Sequence, residues 1–354
     1  MDVELGLIEG FYGRPWTWAE REAQVAFLGR HGYRFYVYAP KADASLRRRW
    51  RETPPEATDA GLRRLARLCG ESGVRFGVGL SPFEIYRDFN AEARQALARK
   101  LAWLDDIGVD YLAILFDDMR GDQADLAATQ IGIMHWIAAR SAALRIIFCP
   151  TYYSADPMLD QVFGARPPGY LETLGAELDP AIDIFWTGEE VCARAFSPGH
   201  LDRVAETLRR RPFLWDNYPV NDGPRMCPFL HLRPFTGRPA LIADRIAAHA
   251  INPALQPWLT RVPALTLAEN YRLGDAALED GAFDRAAVEA LGAEVARLLR
   301  RDLTLFQDQG LGQLGEAAAG LRDEYAAIDH PGAREVVAWL DGAYAVTADI
   351  LTEA

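Results

Sequence analysis

The sequence predicts an α/β protein, a (β/α)8 TIM barrel followed by a C-terminal helical region. Three observations carry that expectation. Short runs that are apolar on both faces alternate with helical patterns, which implies a parallel sheet covered by helices. Glycines close the helical stretches just ahead of the next apolar run. Eight such units fall within about 250 residues, the usual size of such a barrel. An open, doubly wound sheet remains compatible with the same alternation.

Taken in order, the first run is Leu5 to Ile8, closed by Glu9-Gly10-Phe11-Tyr12-Gly13. Thr17 and Glu20 then have the T-x-x-E spacing of a capping box, with Pro15 just before, and the helix they open stops near Gly32. Phe35 to Ala39 reads as the second strand, ending at Pro40-Lys41. Thr58 opens the next helix, Gly73 closes it, and Arg75 to Leu80 makes the third strand. Gly108 closes the following helix ahead of the fourth strand, Tyr111 to Phe116. Leu144 to Phe148, Ile182 to Trp186 and Pro212 to Trp215 are short, apolar and bounded by turn residues. Ile246 to Ile251 is the eighth candidate, alanine-rich and readable as helix or strand. Beyond residue 262 the strand signal disappears. Phe283 to Leu305, Leu314 to Ile328 and Ala333 to Leu351 read as three antiparallel helices, punctuated by Gly281, Gly310 and Pro331-Gly332. The expected division is a barrel over residues 1–262 and a helical domain over 263–354.

Composition narrows the functions open to this fold. Half of the 354 residues are hydrophobic and a quarter charged, with a formal net charge of −12. No basic stripe interrupts the acidic balance, so neither nucleic acid nor an anionic membrane is an expected partner. No apolar run reaches the roughly 18 residues of a membrane span. The N-terminus, Met1-Asp2-Val3-Glu4, lacks the basic and apolar segments of a secretory signal, and the expected location is cytoplasmic. Cys69, Cys149, Cys192 and Cys227 are widely separated with no CxxC spacing, against zinc or a disulfide framework. Lys41 and Lys100 are the only lysines, so a lysine at a strand end stands out.

In such a barrel the chemistry sits at the carboxyl ends of the strands. The residues closing the runs there are Gly10-Phe11-Tyr12, Lys41, Ser81, Asp117-Asp118, Thr151-Tyr152-Tyr153, Trp186-Thr187-Gly188, Trp215-Asp216-Asn217 and Asn252. They hold carboxylates, amides, aromatics and one amine, with no histidine cluster, no G-x-S-x-G elbow and no glycine-rich phosphate loop. Carboxylates for acid–base work, aromatic faces for rings and amides for hydroxyls suit a sugar. Asp117-Asp118 is the sharpest feature, because two adjacent carboxylates after Tyr-Leu-Ala-Ile-Leu-Phe repel and are costly to bury. Proximity pushes their proton affinities apart, leaving one to act as acid and the other as anion. Asp105-Asp106 is also a pair, at the end of an amphipathic helix, and reads as merely solvated.

The stretch Gly6-Leu-Ile-Glu-Gly-Phe-Tyr-Gly-Arg-Pro-Trp16 resembles the opening signature of the family 84 glycoside hydrolases, the protein O-GlcNAcases and bacterial β-N-acetylglucosaminidases. Tyr38-Ala39-Pro40-Lys41 with Trp50-Arg51-Glu52 and Leu115-Phe116-Asp117-Asp118 resemble the next two blocks. Phe148-Cys149-Pro150-Thr151 with Tyr153, Trp186-Thr187-Gly188, Trp215-Asp216-Asn217 with Asn221-Asp222, and Asn252-Pro253 continue the likeness in order, over roughly residues 3 to 255. The resemblance implies a (β/α)8 fold and a retaining, exo-acting β-N-acetylglucosaminidase without an enzyme nucleophile. The 2-acetamido oxygen of the substrate attacks the anomeric carbon and water opens the resulting oxazoline, one of the recognised exceptions to the two-carboxylate scheme.

By position, the resemblance implies that Asp117 orients the acetamido N–H, while Asp118 protonates the leaving oxygen and later activates water. Tyr153 and Asn217 would contact the acetamido group, with Trp215 walling its pocket. Gly10, Lys41, Asp222 and Asn252 would hold sugar hydroxyls, and Phe11 and Tyr12 belong to the same substrate-binding turn. No cofactor and no metal are implied. The implied partner is a GlcNAc-containing glycoconjugate, or a protein or peptide carrying O-GlcNAc on Ser or Thr. A glycan- or hyaluronan-degrading hexosaminidase and a catalytically silent GlcNAc-binding module are the alternatives, though binding alone does not need the second acid. Bland readings stand beside each assignment. Tyr153 and Trp215 suit packing, Lys41 suits a surface pair with Asp43, and Asn252 and Asp222 suit turns. Two departures from the family pattern fall on the aglycone side. Ala42 stands where a second acid usually follows the lysine, and Ser81-Pro82 lacks the glycine-rich continuation.

Overall fold

The computed structural model describes residues 3–278 and 281–347. Eight parallel strands close into a barrel in sequence order. They are β1 (Leu5–Glu9), β2 (Tyr33–Tyr38), β3 (Arg75–Leu80), β4 (Tyr111–Leu115), β5 (Arg145–Cys149), β6 (Asp183–Trp186), β7 (Phe213–Asp216) and β8 (Ala248–Ile251). Closure rests on β8 pairing with both neighbours, Leu5 opposite His249 on one side and Phe213 opposite Ala248 on the other. The alanine-rich eighth run is therefore a strand, every residue of it buried. Alanine is a poor strand former alone, and here the barrel supplies both partners that fix it.

The outer layer is α1 (Trp18–Arg30), α2 (Glu56–Glu71), α3 (Ala91–Ile107), α4 (Leu126–Ala138), α5 (Met158–Phe163), α6 (Tyr170–Glu177), α7 (Pro198–Leu208) and α8 (Pro257–Leu273). The Thr17–Glu20 capping box forms reciprocally at the start of α1. Gly108 ends α3 in the left-handed conformation. Helix α2 starts at Glu56, two residues before the expected Thr58, because Pro55 carries the fixed φ that begins a helix. Between β7 and β8 there is no α-helix, only a 3₁₀ turn over Ala240–Arg245. That connection carries Pro219, Pro224, Pro228, Pro234 and Pro239, each without an N–H to give to a helix.

Helix α8 runs unbroken through residues 262 and 263. It leads into α9 (Ala282–Thr304), α10 (Ala317–Ala326) and α11 (Pro331–Leu340). The last two are shorter than their patterns suggested. Gly342, at φ 78°, turns the chain just past α11, and the expected helical residues 348–351 lie outside the described residues. Among the described residues no helix is long and apolar enough to cross a membrane.

Aromatic rings fill the barrel interior. Phe35 of β2 meets Phe213 of β7 across the barrel at 5.4 Å between ring centres, and Phe185 of β6 lies 4.9 Å from Phe213. Gly6 makes room for this layer, since a β-carbon there would sit 2.1 Å from the Phe35 ring. Trp215 stands edge-on to Phe185 at 5.2 Å and so continues the layer toward the carboxyl ends of the strands.

Candidate active site

The carboxyl end of β4 is held from both sides. Ser81 at the end of β3 donates its hydroxyl to the Leu115 carbonyl (3.1 Å), and Thr151 after β5 donates to the Phe116 carbonyl (2.9 Å). Asp117 and Asp118 follow directly. In an extended strand successive side chains face opposite ways. Asp118 instead takes a left-handed conformation, φ 57°, which asparagine and aspartate tolerate best among residues with a β-carbon. That single turn aims both carboxylates at one ammonium. Lys41 Nζ donates to Asp117 Oδ2 in a short bond and lies 3.0 Å from Asp118 Oδ2. Lys41 therefore does not pair with Asp43, which accepts instead from the Tyr38 hydroxyl and from Ser45.

The two carboxylates differ. Asp117 is buried, and among the described residues its Oδ1 has no hydrogen-bond partner. Burial pushes its carboxyl above the usual range, Lys41 opposes this, and the Asp118 charge adds to it. Burial also acts on Asp118, but the Lys41 ammonium and the Tyr12 hydroxyl, which donates to Oδ2 at 2.6 Å, outweigh it and hold this carboxyl low. Burial likewise works against the charge on Lys41, and Asp117 and Asp118 overcome it, leaving Lys41 firmly protonated. The control pair behaves as expected. Asp106 is exposed and bridges Arg63 at 2.7 Å, while Asp105 accepts from the Ala142 N–H.

The opposite wall comes from β7, β8 and the turn after β1. Asn217 is fixed by three bonds: its Oδ1 accepts from Trp215 Nε1 and Asn252 Nδ2, each at 3.0 Å, and its Nδ2 donates to the Val191 carbonyl at 2.8 Å. Asn252 Oδ1 accepts the Gly10 N–H at 3.2 Å, tying β8 to β1. Gly10 must be glycine because a β-carbon would lie 2.3 Å from the Trp215 ring. Asp222, in the long β7–β8 connection, accepts the Tyr12 N–H at 2.8 Å and is raised to about 6 by burial. The Tyr153 ring packs 6.3 Å from Phe163, and its hydroxyl has no recorded partner among the described residues. Burial, with Asp118 and Asp117 next, pushes that hydroxyl far above its ordinary range, so it stays a neutral donor.

Most of the expected residues thus gather around Lys41 and the Asp pair. Phe11 is the exception. Its side chain is 1% exposed and packs on Trp16, and only its carbonyl serves the site, accepting the Lys41 N–H. Asp216 also turns away, into a fully buried cluster with Arg238 and His249. The sequence reading missed Arg47. This buried guanidinium lies over the Tyr12 ring, within a run of three arginines that gives no sign which of them is inside.

The β-N-acetylglucosaminidase (NAGidase) family profile matches residues 5–303. The protein O-GlcNAcases of Rattus norvegicus and Mus musculus are each 29% identical over 276 residues, covering 75% of this chain and 30% of theirs. The chain thus spans about a third of the length of these curated relatives. Among solved structures, a mutant of the Thermobaculum terrenum O-GlcNAc hydrolase superposes with a TM-score of 0.78 at 28% identity, covering 95% of this chain and 80% of that one. With an eight-stranded parallel barrel and a family match over most of its length, the chain belongs to the β-N-acetylglucosaminidase family, the family 84 glycoside hydrolases.

Proposed function

We propose that the protein is a retaining, exo-acting β-N-acetylglucosaminidase working by substrate-assisted catalysis, able to release GlcNAc from Ser or Thr of proteins. The observation that carries the reading is Asp117 Oδ1, a buried carboxylate oxygen without a donor among the described residues, beside a second, charged carboxylate. An acetamido N–H supplies the missing donor. With the amide so held, its oxygen bonds to the anomeric carbon as the glycosidic C–O bond breaks, and the leaving oxygen takes the proton of Asp118. Water then adds to the anomeric carbon of the oxazoline, gives its proton to Asp118, and the amide is regenerated. Tyr153 donates to the acetamido oxygen and Asn217 contacts the same group, Trp215 walls the methyl group, and Gly10, Lys41, Asp222 and Asn252 form the sugar clamp, with Tyr12 beside the leaving group. The barrel, with α8 as its last helix, carries the chemistry, and α9, α10 and α11 brace it.

The roles need the proton on Asp118, whereas the substrate-free pair favours it on Asp117. Substrate resolves the conflict. An N–H donated to Asp117 favours its charged form, and in a coupled pair the proton then passes to Asp118.

The test is turnover of aryl β-GlcNAc substrates against an aryl β-glucoside and a GlcNAc-modified peptide. Asp118→Asn is expected to slow substrates with poor leaving groups by about 10²–10⁴-fold and those with acidic leaving groups far less. Equal losses across the series would remove Asp118 from the acid role. Asp117→Asn is expected to slow even the best leaving groups, and successive fluorination of the substrate acetyl to depress the wild-type rate. A rate indifferent to fluorination points to an enzyme nucleophile.

A further inference from the structure

Arg47 is 4% exposed, and among the described residues two of its three guanidinium nitrogens, Nε and Nη1, are buried without a hydrogen-bond partner. Among the described residues it has no carboxylate within ion-pair distance. An unpaired buried cation costs several kcal/mol unless surrounding charge compensates it. The chain nevertheless fixes it with care. Asp43 caps the short turn Ala44–Leu46, the Leu46 carbonyl accepts the Ser81 N–H at 2.8 Å, and buried Lys100 donates to the carbonyls of Ser45 (3.1 Å) and Glu52 (2.8 Å), gripping both ends of the loop. Arg47 Nη2 lies 3.5 Å from the Tyr12 hydroxyl, the outer limit of a hydrogen bond, and that hydroxyl donates to Asp118 Oδ2 at 2.6 Å.

We propose that Arg47 is a positioning residue for catalysis: through the Tyr12 hydroxyl it orients Asp118 and sets how readily that carboxyl gives up its proton to the leaving group. The inference rests on the reading of Asp118 as the acid. Among the described residues Lys41 and Arg47 are the two cations that act on Asp117 and Asp118: Lys41 touches both carboxylates, and Arg47 stands one hydroxyl away. Among the described residues the Tyr12 hydroxyl bridges Arg47 and Asp118, accepting from the one and donating to the other.

The other groups around Asp118 leave the assignment readable. Cys149 and Tyr153 on the β5 side are pushed far up by burial and stay neutral. Asp117 and Asp118 share one proton and titrate as a pair, and Asp222 across the cleft, raised to about 6, bears on the acid side of a pH profile. The basic limb of kcat/KM reports loss of that shared proton, the one Asp118 must hold to act. Removing a nearby cation raises a carboxyl pKa, so loss of Arg47 moves the basic limb of kcat/KM to higher pH.

The experiment is the pH profile of kcat/KM on an aryl β-GlcNAc for the wild type and for Arg47→Gln, Arg47→Lys, Tyr12→Phe and the Arg47→Gln/Tyr12→Phe pair. Arg47→Gln is expected to raise the basic limb by on the order of one pH unit. Arg47→Lys, which keeps the charge, is expected to stay near the wild-type limb. Tyr12→Phe is expected to shift it in the same direction, and the double variant by no more than the larger single shift. Tyr12→Phe also removes the link without disturbing the loop, so it decides the question should Arg47→Gln not fold. A basic limb that does not move in Tyr12→Phe or in folded Arg47→Gln overturns the proposal, as does a uniform loss of rate at all pH. The leaving-group series on Asp118→Asn judges the acid role separately: selective loss there with an unmoved limb here leaves the acid standing and removes Arg47.

Discussion

Asp222 shows how one side chain can satisfy a turn and a site together. It follows Asn221 and precedes Gly223-Pro224, a turn composition, yet it reaches back to the Tyr12 N–H at 2.8 Å and stands half-buried across the cleft from the Asp pair. Loss of a charged acceptor is worth about 1.5–3 kcal/mol. Asp222→Ala is therefore expected to weaken a GlcNAc-oxazoline mimic by at least about tenfold. The one backbone bond lost should lower Tm by no more than about 2–4 °C. The same carboxyl, raised to about 6, is neutralised as pH falls through that value, so mimic affinity should decline there in the wild type and not in Asp222→Asn. Unaltered affinity, or a loss explained by unfolding, returns Asp222 to the turn. At this scale the sequence was informative where chemistry is rare. Lys41 stood out as one of two lysines and Asp117-Asp118 as a pair after an apolar run, whereas Arg47 is hidden among arginines and only burial distinguishes it.

Helix α8 starts without a capping side chain of its own, and Glu335 of α11 performs that task from across the interface. Its two carboxyl oxygens accept the N–H groups of Trp258 and Leu259, each at 2.9 Å. Burial outweighs these bonds and raises Glu335 to about 8. An acid that binds its proton more tightly folded than unfolded favours the fold at low pH, and that contribution is lost as pH rises through the folded value. The Tm of the wild type should therefore fall relative to Glu335→Gln between about pH 5 and 8. A constant difference would mean that Glu335 is already charged in the fold. No local pattern announces such a cap, because donor and acceptor lie 77 residues apart. Strand and helix order was legible from apolar runs and glycines, since those act locally. The strand character of Ala248–Ile251 and the early end of α11 were not, because pairing on both sides of β8 and the turn at Gly342 decide them.

Over the whole molecule, the C-terminal segment reaches the rim that carries the site. Trp339 donates its indole N–H to the Cys227 carbonyl, the Val346 N–H meets Cys227 Sγ, and Tyr344 lies under the Arg14 guanidinium in the turn after β1. The helical region thus holds the β1 turn and the β7–β8 connection, whose residues Gly10, Tyr12 and Asp222 face one another. Its role could not be read from its alanine-rich pattern, which fits any bundle. A last consequence follows from the two lysines, Lys41 against the Asp pair and Lys100 gripping the arginine loop, each 4% exposed. The folded surface of this chain presents no side-chain amine. Amine-reactive dyes and lysine-directed crosslinkers should leave the native protein's side chains unmodified, and intact mass after brief treatment should show at most one adduct, on the α-amino group. Unfolding exposes both amines together. Acylation of Lys41 and Lys100 then becomes a clock for opening of the barrel, and a GlcNAc-oxazoline mimic should slow both sites equally if they open only with the whole fold, but Lys41 selectively if the pocket breathes by itself.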